Sequence, residues 1–170
     1  MTLYIALLRA VNVGGTGKLS MTELKAMCVA VGFVKVRTYI ASGNVVFQSA
    51  ASERRVKALL EERLATYAGK PVCVAVRTAG EMAAVLRANP FPKAAPNRTV
   101  AIFLDNAPLT DALEHAVGRT VEDMRLGTRE IYVHYGDGMA NSKLKIPAAK
   151  SGTARNMNTV GKLTQIAVGI

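Results

Sequence analysis

The sequence predicts an α+β fold whose first half is ferredoxin-like. Residues 1–77 contain apolar, strand-like runs and two amphipathic helical stretches in the order βαββαβ. Half of the 170 residues are hydrophobic and a fifth are charged, so the chain can bury a sizeable core. We therefore expect a ferredoxin-like part over residues 1–78 and a second, smaller α+β part over residues 79–170, packed as one continuous fold.

The chain opens with a buried strand followed by a helix. Leu3–Leu8 is an apolar run, and a Gly-rich stretch over residues 12–20 follows it. Beyond that stretch, apolar residues recur at the three- and four-residue spacing of one helix face. Ser20 and Glu23 form a capping-box pattern at the start of this helix, and Gly32 marks its end.

A hairpin, a second helix and a fourth strand complete the βαββαβ order. β-Branched residues dominate Val34–Tyr39 and Val45–Gln48, which lie on either side of a Ser-Gly-Asn turn. The second helix is predicted to start near Ser52. The apolar run Val72–Val76 then forms the fourth strand.

The order of the strands brings two distant segments together. Right-handed crossovers in a βαββαβ unit give the strand order 4-1-3-2, in which the end of the first strand lies beside the start of the third. Arg9 and the Gly-rich stretch are therefore predicted to lie at the same sheet edge as Ser42, Gly43 and Asn44. Taken alone, these three residues are also typical of a plain hairpin turn, because Gly and Asn tolerate positive φ.

Shorter elements are predicted in the second half, and the sequence shows no repeat. The expected strands and helices, in chain order, are a helix at Glu81–Leu86, a strand at Val100–Leu104, a helix at Asp111–Val117, strands at Val121–Leu126 and Ile131–Tyr135, and helices at Ala140–Lys145 and Asn156–Val168. A Pro-rich stretch precedes the first of these strands, and we place a soft boundary between the two parts near residues 78–97.

Positive charge is concentrated at the two ends of the chain. Residues 1–52 contain five Lys or Arg and one acidic residue, and residues 138–170 contain five and none, so these ends carry +9 of the net charge of +10. Segregated positive charge attracts phosphates, nucleic acid and other anions. A general solubility charge is the alternative explanation.

The Gly-rich stretch is similar to a phosphate-binding loop without matching its pattern. In the run from Asn12 through Gly14 and Gly15 to Lys18, the glycine spacing is too short for GxxxxGK[ST], and Leu19 replaces the Mg²⁺-binding hydroxyl residue. An ATPase is therefore disfavoured. The glycines can still expose backbone N–H groups to an anion ahead of a helix, or they form only a flexible connection.

Two further segments near the C-terminus are rich in hydrogen-bond donors. One contains Lys143, and the other contains Arg155 and Asn156. An Asn cap on the last helix would leave Arg155 in front of a positive helix terminus, where a guanidinium suits bidentate contact with phosphate or carboxylate. Plain capping, with solvated lysines nearby, is the alternative.

Signals for catalysis, metals or cofactors are weak. The sequence contains no HExxH, GxSxG or EF-hand motif, and His134 falls within a predicted strand. Cys28 and Cys73 lie in apolar stretches without a metal-binding spacing, so both are predicted to be buried free thiols. We expect no metal, no redox cofactor, no membrane segment and a cytoplasmic location, and the oligomeric state stays open.

Three blocks of sequence resemble a bacterial family known as domain of unknown function 1697. They are Tyr4–Gly15, Thr38–Phe47 and Gly152–Val160. The resemblance spans the whole chain and implies an α+β fold with a ferredoxin-like half, and it implies no particular reaction. The family pattern usually has Gly where this chain has Ala10. It usually has Gln or Asn in place of Ala41 and an aromatic residue in place of Met157.

These observations favour a binding module for an anionic, phosphate-bearing ligand, either nucleic acid or a phosphorylated metabolite. The predicted ligand-binding residues are Arg9, Asn12, Gly14, Gly15, Lys18, Ser42, Gly43, Asn44, Lys143, Arg155 and Asn156. Two alternatives remain. One is a small-metabolite enzyme with His134 or Lys18 as the acid/base group, and the other is a structural or partner-binding protein.

Overall fold

The computed structural model describes residues 1–12 and 18–170. They form two compact units, one made of Met1–Ala83 with Lys162–Ile170 and the other of Ala84–Gly161. Each unit contains a four-stranded antiparallel sheet, which confirms the predicted α+β class. Within the described residues, no helix has the length and apolar character needed to cross a membrane.

The first unit has the predicted ferredoxin-like order. Its strands lie in the order β2-β3-β1-β4, which is the predicted 4-1-3-2 arrangement. The elements are β1 (Thr2–Leu8), α1 (Met21–Ala30), β2 (Val34–Tyr39), β3 (Asn44–Ser49), α2 (Glu53–Ala68) and β4 (Val74–Thr78), followed by α3 (Ala79–Arg87).

Capping side chains and a glycine fix the ends of these helices. The Oγ atom of Ser20 accepts a hydrogen bond from the N–H of Glu23 at 3.1 Å, so the Ser20 half of the capping box predicted for α1 is present, while the Glu23 carboxylate contacts Tyr67. Ser52 caps α2 in the same way. Gly69 ends α2 in the left-handed conformation with φ 71°, which a residue with a Cβ adopts only at a cost.

The main core of the first unit lies between α1, α2 and one face of the sheet. Alternate residues of the strands point into it, as expected for half-buried β structure. Its fully buried members include Ala6, Leu8, Leu24, Cys28, Val45, Phe47, Val56 and Leu60. The opposite face of the sheet is also buried, since Ile5, Leu7 and Val46 are inaccessible to solvent.

The second unit repeats the strand order of the first. Its strands are β5 (Thr99–Phe103), β6 (Asp123–Leu126), β7 (Glu130–His134) and β8 (Thr153–Asn156), arranged β6-β7-β5-β8 and followed by α4 (Met157–Val168). The correspondence extends to single hydrogen bonds. The N–H of Leu8 donates to the carbonyl oxygen of Gly43 at 2.8 Å, and the N–H of Leu104 donates to that of Arg129 at 2.9 Å.

The fourth strand of each sheet also carries an equivalent arginine. Arg77 in β4 and Arg155 in β8 both stand two residues before a helix, and both donate to the carbonyl oxygen of the preceding residue at 2.9 Å. They are only 2% and 9% exposed. The two units therefore share a topology that the sequence does not reveal.

Two helix predictions for the second half are wrong, and one strand was not predicted. The helices predicted at Asp111–Val117 and Ala140–Lys145 are 3-10 segments at Ala112–His115 and Gly136–Asn141. Neither continues as an α-helix, because Val117 and Lys145 use their backbone groups to pair with each other as an isolated β-bridge. The last helix, Met157–Val168, agrees with its prediction to within one residue, whereas the strand β8 just before it was not predicted.

Candidate functional site

The Gly-rich stretch is closed at its base by one asparagine side chain. The Nδ2 group of Asn12 donates to the carbonyl oxygens of Leu19 and Ala41, both at 2.8 Å. Its Oδ1 atom accepts from the N–H of Leu19 at 2.6 Å. Asn12 therefore joins the two ends of the stretch to each other and to the β2–β3 turn, as the strand order predicts. Residues 13–17, which include the predicted site residues Gly14 and Gly15, lie outside the described residues.

The β2–β3 turn is held against the end of β1 by a close approach of backbone. Gly43 has φ 88°, and a Cβ placed there would lie 2.8 Å from the Cβ of Leu8 and 2.8 Å from a methyl group of Val11. Asn44 is fully buried, and its Nδ2 group donates to the carbonyl oxygen of Tyr39 and the Oγ atom of Ser42, both at 2.8 Å. We refer to Asn12, Gly43 and Asn44 together as the loop clamp.

A cleft of about 270 Å³ lies beside the loop clamp, within the first unit. We call it the first-unit cleft. Its lining residues are Ala10, Val11, Lys18, Leu19, Leu64, Tyr67, Ala68, Lys70 and Val72. The hydroxyl of Tyr67 lies 3.2 Å from the carbonyl oxygen of Lys18 and in close contact with the carboxylate of Glu23, so it donates to one of these acceptors. This contact with Glu23, and then desolvation, raise the pKa of Tyr67, which keeps its hydroxyl protonated at neutral pH.

The charged residues that line the first-unit cleft are both positive. They are Lys18 and Lys70, which are exposed and form no ion pair within the described residues. The first unit as a whole contains twelve Lys or Arg and five acidic residues, whereas the second contains ten and seven. The net charge of +10 is therefore unevenly divided, with +7 in the first unit and +3 in the second.

Comparison with known proteins identifies the family of this chain. The family model described as "Protein of unknown function (DUF1697)" matches residues 1–132. The chain belongs to the DUF1697 family. It is also similar to a solved structure described as conserved bacterial protein SP0830 from Streptococcus pneumoniae, with a TM-score of 0.80, 25% sequence identity and 98% of each chain covered. No curated protein gives a significant match.

In this DUF1697 chain, the first two family-like blocks meet at the loop clamp. Asn12 comes from one block, and Gly43 and Asn44 come from the other. The polar atoms of Asn12 and Asn44 bond to neighbouring protein groups, so these side chains shape the site and are poorly placed to orient a ligand directly. Arg9 is half-buried, and its backbone N–H donates to the carbonyl oxygen of Cys73 at 2.9 Å.

The predicted site residues of the C-terminal segments lie in the second unit. Arg155 lies in β8 immediately before Asn156, in front of α4 as the capping pattern predicts, and it is buried; its role as a ligand contact stays a prediction. Burial lowers the pKa of Arg155 to about 10. Asn156 caps α4, with its Oδ1 atom accepting from the N–H of Thr159 at 2.9 Å, and Lys143 is exposed. A composite site that combines these residues with Lys18 stays a prediction.

Both histidines have a polar neighbour. The Nδ1 atom of His134 lies 3.1 Å from the hydroxyl oxygen of Thr99, and its ring packs near Phe91. His115 is exposed and lies 3.4 Å from a carboxylate oxygen of Asp111. The described residues contain no group of three or more His, Cys, Asp or Glu that could hold a metal ion.

The two thiols differ, contrary to the prediction that both are buried. Cys28 is fully buried in the core, and desolvation raises its pKa to about 12. Cys73 is exposed immediately before β4, because the strand begins at Val74 and not at Val72.

Lys70 and Tyr67 are parts of the cleft that the sequence reasoning missed. A signal for them existed in the predicted strand order. Since β4 is antiparallel to β1, the connection that leads from α2 into β4 must reach the same sheet edge as the end of β1. Lys70 follows Gly69, the residue that ends α2, and therefore falls on that edge.

Proposed function

We propose that this protein binds a phosphate-bearing anion in the first-unit cleft. The cleft combines an apolar wall with the ammonium groups of Lys18 and Lys70. An anion placed there would gain a charge-assisted contact with each lysine. It would not have to compete with an acidic side chain of the described residues for either ammonium group. A volume of about 270 Å³ is just below the range of about 300–1000 Å³ typical of small-molecule pockets, so it suits a phosphate group and its nearest substituent.

The loop clamp is the observation that carries the proposal. Lys18 is followed directly by Leu19, whose N–H and carbonyl oxygen both bond to the side chain of Asn12. The backbone of Lys18 is thus held beside this bonded residue, and its carbonyl oxygen lies 3.2 Å from the hydroxyl of Tyr67. A lysine positioned in this way loses less conformational entropy when it binds an anion than one on a free loop.

The predicted residues, together with Lys70, take different roles in this proposal. Lys18 and Lys70 supply charge inside the cleft, and Arg9 adds charge close to it. Asn12, Ser42, Gly43 and Asn44 maintain the geometry of the loop and the turn. Lys143 and Asn156 lie in the second unit, and the site as proposed does not require them.

Salt dependence of binding distinguishes nucleic acid from a small phosphorylated ligand. Four to five contacts with the phosphates of duplex DNA give a slope of log K against log salt of about −4, and replacing one contacting lysine reduces its magnitude by about one. A ligand with one phosphate group shows a much shallower slope. We expect Lys18→Ala to weaken binding of either ligand.

Lys25→Ala is the matched control, because it removes the same charge from an exposed helical position outside the cleft. Binding to a DNA duplex and to tripolyphosphate would be measured for both variants by fluorescence anisotropy and calorimetry. Equal losses in the two variants would assign the effect to net charge and contradict a site at the cleft. Absence of binding to both probes at low salt would contradict the proposed function altogether.

A further inference from the structure

One face of the second sheet has less helical cover than the equivalent face of the first. In the first unit, α1 and α2, of 10 and 16 residues, cover this face. In the second unit the equivalent connections form 3-10 segments of four, six and three residues, at Ala112–His115, Gly136–Asn141 and Pro147–Ala149. The same strand order therefore supports a thinner covering layer in the second unit.

An apolar groove of about 610 Å³ occupies this thinner layer, and we call it the second-unit groove. It is lined by Ile102, Val117, Tyr135, Leu144, Lys145, Ile146, Pro147, Ala149 and Lys150. Ile102 and Ile146 belong to the buried core of the unit, so the groove reaches that core. Val117, at 58% exposed, leaves apolar surface accessible to solvent.

Backbone pairing fixes one wall of the groove. Val117 and Lys145 exchange two backbone hydrogen bonds, of 2.9 and 2.8 Å. Gly118 permits this approach, because a Cβ at that position would lie 2.1 Å from the carbonyl oxygen of Lys143. A groove with a wall fixed in this way is available to a ligand without a large ordering cost.

The groove also contains three polar groups that suit an anion. Lys145 and Lys150 supply ammonium groups, and Tyr135 supplies a hydroxyl that makes no hydrogen bond within the described part of the chain. Burial, and then the charge of Glu122, raise the pKa of Tyr135, so its hydroxyl remains a donor at neutral pH. The Glu122 carboxylate does not line the groove, and it accepts hydrogen bonds from Ser142 and Thr120.

We propose that the second-unit groove binds a small amphipathic anion, with an apolar acyl or aryl body over Ile102 and Ile146 and a carboxylate or phosphate group at Lys145, Lys150 and Tyr135. Its volume lies within the range of about 300–1000 Å³ found for small-molecule sites. This site lies in a different unit from the first-unit cleft and is independent of the function proposed for it.

Calorimetric titration with decyl phosphate, below its micelle concentration, tests the site. The full chain should bind it saturably with one-to-one stoichiometry, and decanol should bind more weakly because it lacks the charge. Ala149→Phe fills the groove and should reduce affinity by at least about tenfold, equivalent to 1.4 kcal/mol. Ala148→Phe is the matched control, because Ala148 is exposed, adjacent and outside the groove.

A second variant keeps the test decisive if Ala149→Phe does not fold. Val117 is exposed, so Val117→Glu should fold. The introduced carboxylate should weaken the binding of decyl phosphate more than the binding of decanol. Lys18→Ala reports on the first-unit cleft and should leave decyl phosphate binding unchanged.

The proposal is overturned by absence of saturable binding, by equal affinities in the variants at positions 148 and 149, or by loss of binding in Lys18→Ala alone. Saturable binding of an acidic amphipathic helical peptide in preference to decyl phosphate would also overturn it, in favour of a protein partner.

Discussion

The carboxamide of Asn12 donates a hydrogen bond of 2.8 Å to the carbonyl oxygen of Ala41, 29 residues further along the chain. This bond links the Gly-rich stretch to the β2–β3 turn, so it connects two of the sequence blocks by which the chain resembles its family. It also places the first-unit cleft next to a part of the fold whose geometry is fixed by hydrogen bonds.

Asn12→Ala should destabilise the protein by about 2 kcal/mol, because three hydrogen bonds are lost and each contributes about 0.5–1.5 kcal/mol. The free energy of unfolding would be measured by urea denaturation. Asn106→Ala, at an exposed position, should change stability by less than about 0.5 kcal/mol. Equal stabilities of the two variants would show that the Asn12 bonds contribute nothing net.

Gly43→Ala should be more damaging than Gly32→Ala, although both glycines have positive φ, of 88° and 94°. A Cβ at position 43 meets Leu8 and Val11 at 2.8 Å, whereas a Cβ at position 32 meets nothing within 4 Å. The backbone strain is common to both, so the difference isolates the steric contact, which should cost about 1–3 kcal/mol. A difference near zero in urea midpoints would mean that the turn can move away from β1.

Ala10→Gly should stabilise the protein by about 1 kcal/mol, because Ala10 has φ 54° and a left-handed conformation costs a residue with a Cβ about 1–2 kcal/mol. Ala41→Gly is the matched control, since Ala41 is exposed and is not among the residues with positive φ. That change should destabilise by up to about 1 kcal/mol through backbone entropy. Thermal unfolding would show whether the melting temperature rises for Ala10→Gly and falls for Ala41→Gly.

Glu122→Gln should remove a pH-dependent part of the stability. The hydroxyl of Ser142 and then the N–H of Thr120, at 2.6 Å from the carboxylate, lower the pKa of Glu122 from 4.5 to about 2. A lowered pKa stabilises the fold above pH 4.5, and this contribution is lost as the pH falls through about 2.

The wild type should therefore be more stable than Glu122→Gln at neutral pH, and the gap should narrow towards pH 2. Glu114→Gln, at an exposed position, controls for the loss of one negative charge. A difference in unfolding free energy between the wild type and Glu122→Gln that does not change with pH would contradict a contribution from the lowered pKa of Glu122.

The sequence predicted the first unit better than the second for a physical reason. Its strands and helices are long enough to show periodicity, and Ser20 and Ser52 mark the helix starts. In the second unit, the segments around residues 112–115 and 136–141 are too short to show a helical repeat. The four-residue strand β8 contains Arg155, and a charged residue ordinarily indicates exposure.

The sequence predicted which loops lie together more accurately than it predicted what their side chains contact. Strand order alone placed Arg9 and the Gly-rich stretch beside the β2–β3 turn. The sequence could not show that Asn12 and Asn44 bond to backbone carbonyls, because loop asparagines serve ligands and turns equally well. Lys70 was missed because its position depends on where α2 ends.

The most direct test of the central proposal is to map the binding of tripolyphosphate by amide chemical shifts in a ¹⁵N-labelled sample. If the first-unit cleft binds phosphate, saturable shifts should cluster at Val11, Lys18, Ala68 and Lys70, and they should disappear in the double variant Lys18→Ala/Lys70→Ala. The variant Lys25→Ala/Lys35→Ala removes the same charge and should retain them. Shifts that are absent, that are spread evenly over exposed lysines, or that survive in Lys18→Ala/Lys70→Ala would contradict the proposal.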